Sequence, residues 1–161
     1  MASHAAGHSV GEFAALYSAG AFSFRDGLQM VAKRGEIMAK VSGGGMAAVI
    51  GLDSDSIEGV LLSEGADKID LANYNSPGQI VISGAEEQIA KVLVPIKEAG
   101  ARMVVPLKVS GAFHSRLMRD SASEFSKFIA RFSIKLPSFP VFSNVNANAY
   151  SSSESISELL V

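Results

Sequence analysis

Gly7-His8-Ser9-Val10-Gly11 (GHSVG, residues 7–11) is the stretch on which the fold of this chain turns. It has the form G-x-S-x-G, a sharp turn that carries a strand into a helix and exposes a serine hydroxyl at the bend. Such a turn asks for glycine on both sides. Ser9 would sit in a strained backbone conformation, and side chains at 7 or 11 would collide with neighbouring strands. Residues 10–19 favour helix, with Phe13, Ala14, Leu16 and Tyr17 apolar and Gly20 to end it. The positive end of that helix would face the hydroxyl, with the Val10 N–H placed to hold an oxyanion. The same five residues also fit a glycine-rich turn ahead of an ordinary helix, and residues 3–6 before them make a poor strand by propensity.

Outward from this turn the periodicity changes twice. Ser23 offers an N-cap, with Asp26 in the first turn of a helix running to about residue 41, and Leu28, Val31, Gly35 and Met38 share one face of it. Gly43-Gly44-Gly45 reads as a flexible junction. Short apolar runs at 46–51, 69–74, 79–83 and 102–109 then predict strands. Helical patterns at 53–64 and 85–99 lie between them, with a turn at Asn75-Ser76-Pro77-Gly78. The order β-α-β-β-α-β predicts an α/β chain in which a ferredoxin-like subdomain, 46–110, is inserted into a body made of 1–45 and 111–161. In the third segment Leu117, Ser121, Phe125, Phe128 and Phe132 recur at helical spacing. A strand at 140–145, a polar loop and a helix from 154 follow.

Composition narrows the function classes. A chain that is 48% hydrophobic and 19% charged can bury a core. A net charge of −2 without a basic run argues against nucleic acid as a partner. With no cysteine there is no thiolate nucleophile, disulfide or sulfur-ligated metal, and three scattered histidines predict no metal site. No apolar run approaches the roughly 20 residues that span a bilayer. The opening residues lack the features of a signal peptide, so no membrane partner and a cytoplasmic location are expected.

A serine at its free pKa needs a base. His4 and His8 adjoin Ser9, but His8's place in the turn points it away from the hydroxyl. His114 lies in Gly111-Ala112-Phe113-His114-Ser115 at the start of a predicted helix, where the dipole keeps an imidazole neutral. It reads either as that base or as a capping or packing histidine. No acidic residue stands in an obvious third position, which favours a Ser-His dyad over a triad. Arg34 interrupts the apolar face of the second helix. It reads either as a solvated charge or as a guanidinium that grips a substrate carboxylate bidentately.

The segments GHSVGEFAALYSAGAFSFRDGLQMVAKRGEIM (7–38), NYNSPGQIVISG (73–84), VSGAFHSRLM (109–118) and FPVFSNV (139–145) together resemble malonyl-CoA:acyl carrier protein transacylases. They also resemble the related acyltransferase domains of fatty acid and polyketide synthases. The resemblance implies an α/β-hydrolase-like core, present in part, carrying the ferredoxin-like insert. It implies Ser9 as the nucleophile that becomes malonylated, His114 as its base, and Arg34 as the ligand of the malonyl carboxylate. Val10 would donate to the oxyanion, with Phe113 and His8 among the substrate-contacting positions. Phe113 in the A-F-H-S context resembles the malonyl-preferring pattern, because a ring beside the α-carbon leaves no room for a methyl branch.

The implied partners are malonyl-CoA and acyl carrier protein. Coenzyme A enters only as the substrate's thioester and phosphopantetheine only on the acceptor, so no cofactor is expected. The family has a glycine- and glutamine-rich loop ahead of the first residues and a histidine-orienting residue beyond the last helix, so the chain is expected to be truncated at both ends. An acyltransferase domain of a polyketide synthase, a family-related acyl-hydrolase, and an inactive fragment that only binds carrier protein are the alternatives.

Overall fold

The computed structural model describes residues 2–161. Its elements in chain order are β1 (Ala5–Ala6), α1 (Gly11–Ser18), α2 (Phe24–Ala39), β2 (Gly44–Ile50), α3 (Ser54–Ser63), β3 (Asp70–Ser76), β4 (Gln79–Ala85), α4 (Glu86–Glu98) and β5 (Met103–Pro106). A 3-10 turn (Arg116–Met118), α5 (Arg119–Ile129), β6 (Val141–Phe142) and α6 (Ser153–Leu159) complete the sequence of elements. The chain is an α/β protein that divides into two compact units, residues 1–37 with 121–161, and residues 38–120. Among the described residues no helix is long and apolar enough to cross a membrane.

In the first unit β1 pairs in parallel with β6, Ala5 opposite Val141 and Ala6 opposite Phe142. The poor intrinsic strand propensity of the opening residues is overridden by that pairing. The core gathers Phe13 and Leu16 of α1, Met30 and Ile37 of α2, Phe125 and Ile129 of α5, Val141, Tyr150 and Ile156. The buried side of α2 is not the expected one: Gly27, Met30 and Ile37 face inward, while Leu28 is 58% exposed. Arg34 lies on the buried side, seven residues after Gly27, and is half-buried because its head group finds a polar partner there. β6 is two residues long, against the six predicted, and α5 stops at Ile129, before Phe132. Phe132 still packs on the core, from the loop beyond the helix.

The second unit is an antiparallel sheet in the order β3-β4-β2-β5. Alternation along β2 divides its side chains. Ala47 and Val49 join Ile57, Leu61, Ile82, Ile89, Val92 and Ile96 under α3 and α4, whereas Met46 and Ala48 meet Val81 on the opposite face. Gly44 and Gly45, expected as a flexible junction, are paired strand residues opposite Ala85 and Gly84. A Cβ on Gly44 would stand 2.1 Å from the Ala112 nitrogen, so glycine serves close approach here and not mobility. β5 is shorter than its apolar run and ends at Pro106, which offers no N–H to a ladder. Asp53 caps α3 by accepting the Ser56 N–H at 2.8 Å, as Asp at that position should.

Candidate active site

Ser9 stands between β1 and α1 with φ +51°, in the left-handed region that residues other than glycine rarely occupy. Its neighbours close the bend. The Gly11 N–H donates to the His8 carbonyl at 2.9 Å and the Glu12 N–H to the Ser9 carbonyl at 3.1 Å, so the helix begins at once. The two glycines of the motif are not equivalent. A Cβ on Gly7 would lie 2.0 Å from the Gly11 carbonyl oxygen, whereas one on Gly11 would meet nothing within 4 Å. The crowding comes from the first turn of α1 and not, as anticipated, from neighbouring strands.

Val10 occupies the N-cap of α1 with helical dihedrals and an exposed side chain, and its N–H donates to no protein acceptor among the described residues. The His8 side chain is exposed. Arg34 reaches the bend from α2, and its Nη2 donates to Ser9 Oγ at 3.0 Å. Burial draws the guanidinium below its usual pKa while the Glu12 carboxylate acts the other way, and the group stays cationic at neutral pH. The neighbouring Lys33 instead binds Glu124 at 2.9 Å and Glu36 at 3.2 Å, and those hydrogen bonds raise its pKa. Of the two adjacent cations, Arg34 is the one directed at the serine.

His114 and Phe113 belong to the second unit. His114 also has a left-handed backbone, φ +58°. Ser115 stabilises the turn that follows it, accepting the Leu117 N–H at 3.2 Å and donating to the Ala112 carbonyl at 2.7 Å. Arg116 then locks this turn to β3. Its backbone N–H donates to Asp70 Oδ2 at 2.6 Å, and its Nε and Nη2 donate to Oδ1 at 2.9 and 2.7 Å. Burial alone would raise the Asp70 carboxyl, and the Arg116 bonds outweigh it and hold the pKa below its usual value. The expected helix start after His114 is thus a 3-10 turn capped by Ser115. The Phe113 ring rests on the Met46, Ala48 and Val81 face of the sheet.

Three residues that the sequence did not single out surround the bend. Asn144 accepts the Ser9 N–H at 3.0 Å through Oδ1 and donates from Nδ2 to the Gly7 carbonyl at 2.5 Å. Glu12, 4% exposed, accepts the Tyr150 hydroxyl at 2.6 Å and the Asn144 N–H at 3.0 Å. The Tyr150 pKa is raised, first by burial and then by that bond to Glu12. The available signal is Asn144 two residues beyond the apolar pair Val141-Phe142, within the FPVFSNV stretch.

Residues 3–159 match the family model for the acyl transferase domain. The chain is 49% identical over 149 residues, 92% of its length, to the polyketide biosynthesis protein ThaF of Burkholderia thailandensis, and covers 13% of that protein. It is 48% identical over 150 residues to the polyketide biosynthesis malonyl CoA-acyl carrier protein transacylase BaeC of Bacillus velezensis, with 91% of this chain and 51% of BaeC covered. The solved structure of PlMCAT:AntF (holo), a type II PKS acyl-carrier protein in complex with its malonyl-transacylase, superposes with a TM-score of 0.93 at 35% identity. That match covers 99% of this chain and 53% of the other. The chain thus spans about half the length of BaeC and of the solved chain, and less of ThaF. A family match running from Ser3 to Leu159, through the serine bend and both arginine- and histidine-bearing segments, means that this chain belongs to the acyl transferase domain family.

Proposed function

We propose that this protein transfers a malonyl group from malonyl-CoA to the phosphopantetheine thiol of an acyl carrier protein, in the cytoplasm, through a malonyl-serine intermediate. The observation that carries the proposal is Ser9, left-handed at the start of α1 with an arginine donating to its Oγ at 3.0 Å. The names of BaeC and of the PlMCAT:AntF complex support the acyl donor and the carrier protein. The strand order β3-β4-β2-β5 with two helices on one face supports a ferredoxin-like subdomain inserted into a partial α/β-hydrolase-like core.

In the first half-reaction Ser9 Oγ attacks the thioester carbonyl and His114 takes the hydroxyl proton. The C–S bond then breaks, and the proton passes to the departing coenzyme A sulfur. The Val10 N–H stabilises the oxyanion, and Arg34 holds the malonyl carboxylate. In the second half the carrier's thiol gives its proton to His114 and its sulfur attacks the acyl-serine carbonyl. The ester C–O bond breaks and the proton passes to the departing Ser9 Oγ, which restores the hydroxyl with no cofactor of the enzyme's own. Phe113 would restrict the α-carbon, and the exposed His8 would border the acyl chain.

Intact-mass measurement after incubation with malonyl-CoA tests this. The protein should gain one malonyl group, Ser9→Ala should gain none, and Arg34→Ala should lose malonyl transfer while keeping or improving acetyl transfer. A protein that binds carrier protein but gains no mass would be a docking module, and malonyl transfer indifferent to Arg34 would favour a hydrolase of neutral acyl groups.

A further inference from the structure

Behind the serine bend lies a hydrogen-bonded chain that the proposed chemistry does not use. Glu12 is a carboxylate buried in the first turn of α1, and its Oε1 accepts both the Tyr150 hydroxyl and the Asn144 N–H. A buried carboxylate with two donors fixes both of them, because releasing either would leave charge underdressed. Asn144, so held, grips the bend with its side chain. Oδ1 takes the Ser9 N–H and Nδ2 gives to the Gly7 carbonyl. Only one orientation of the amide satisfies both, so its direction is set by its partners.

These two bonds seize the peptide groups on either side of His8, immediately before the residue with φ +51°. A non-glycine residue keeps a left-handed conformation only where its surroundings over-determine it. The bonds also occupy the Ser9 N–H, leaving the Val10 N–H as the amide at the bend that can face a developing oxyanion.

We propose that Asn144, held by Glu12 and Tyr150, is a positioning residue that locks the Ser9 backbone so that Oγ and the Val10 N–H address one acyl carbonyl. The proposal rests on Ser9 being the nucleophile.

Two readouts on the same variants test it: the single-turnover rate of acyl-serine formation against malonyl-CoA concentration, and the labelling rate of Ser9 by a fluorophosphonate. Asn144→Ala should lower the maximal acylation rate on the order of 10²-fold, the effect of moving a reacting atom by about 1 Å, with little change in the half-saturating concentration. Fluorophosphonate labelling should slow in parallel. Glu12→Gln keeps an acceptor oxygen for both donors and should recover most of the rate that Glu12→Ala loses. Asn144→Asp keeps the acceptor for Ser9 but loses the donor to Gly7, and serves where Asn144→Ala does not fold.

Wild-type acylation and labelling rates in a folded Asn144 variant would overturn the proposal, as would a loss confined to the half-saturating concentration. A wild-type protein that takes the fluorophosphonate but no malonyl group would overturn the transacylase assignment alone, with labelling still deciding the role of Asn144. One that takes neither would overturn both.

Discussion

Replacing Gly7 by alanine tests how the serine bend is built. The new Cβ would stand 2.0 Å from the Gly11 oxygen, 2.1 Å from its carbonyl carbon and 2.5 Å from the Glu12 nitrogen. All three are backbone atoms of the first turn of α1, so no side chain can swing away. Contacts under 3.0 Å are essentially never sustained, so the gap must open by at least 1.0 Å (3.0 minus 2.0). The residues between the two ends of that gap are His8, Ser9 and Val10, and the displacement falls on the nucleophile itself. A shift of about 1 Å at a reacting group costs on the order of 10²-fold in rate. Forcing it into a packed site also costs about 1–3 kcal/mol of stability.

The assay is the rate of covalent malonyl uptake by intact mass, with a thermal melt on the same sample. Gly7→Ala should acylate about a hundredfold more slowly and melt a few degrees lower. Gly11→Ala is the internal control, since its Cβ meets nothing within 4 Å and its rate should stay close to wild type. A Gly7→Ala protein as fast as wild type, or a Gly11→Ala protein the worse of the two, would refute the steric account.

The Asp70–Arg116 lock should appear as pH-dependent stability. The Asp70 carboxyl lies below its usual value of 3.8 when folded, so its contribution is present above that pH and is lost as pH falls through the lower folded value. Denaturant midpoints measured between about pH 5 and 2 should converge for wild type and Asp70→Asn at the acid end, and parallel curves would contradict this. Phe125, 4% exposed and 6.2 Å edge-on from Phe13, joins α5 to α1. Phe125→Ala should lose about 3–5 kcal/mol in chemical denaturation, and a loss under about 1 kcal/mol would mean that the site collapses without a cavity.

Local chemistry made much of the fold legible. The strands and helices of the second unit follow from short apolar runs, helical stretches that end at Gly65 and Gly100, and the turn at Pro77-Gly78. The bend at Ser9 was legible for the same reason, since a serine between glycines ahead of a helix can do few other things. The buried face of α2 was not. Whether Arg34 is a solvated charge or a half-buried donor depends on a hydroxyl 25 residues earlier, and periodicity carries no information about that partner.

What the sequence determined by itself is therefore what short-range sterics and propensity decide: element order, the sharp turn at Ser9 and the helix behind it. The tertiary structure alone decided how that turn is held. Asn144 reaches the Ser9 N–H from 135 residues away and Tyr150 reaches Glu12 from 138, through the parallel pairing of two short strands. A hydrogen bond is satisfied by whichever donor or acceptor folding brings within about 3 Å, and a polar residue in a loop does not reveal its partner until the chain has closed.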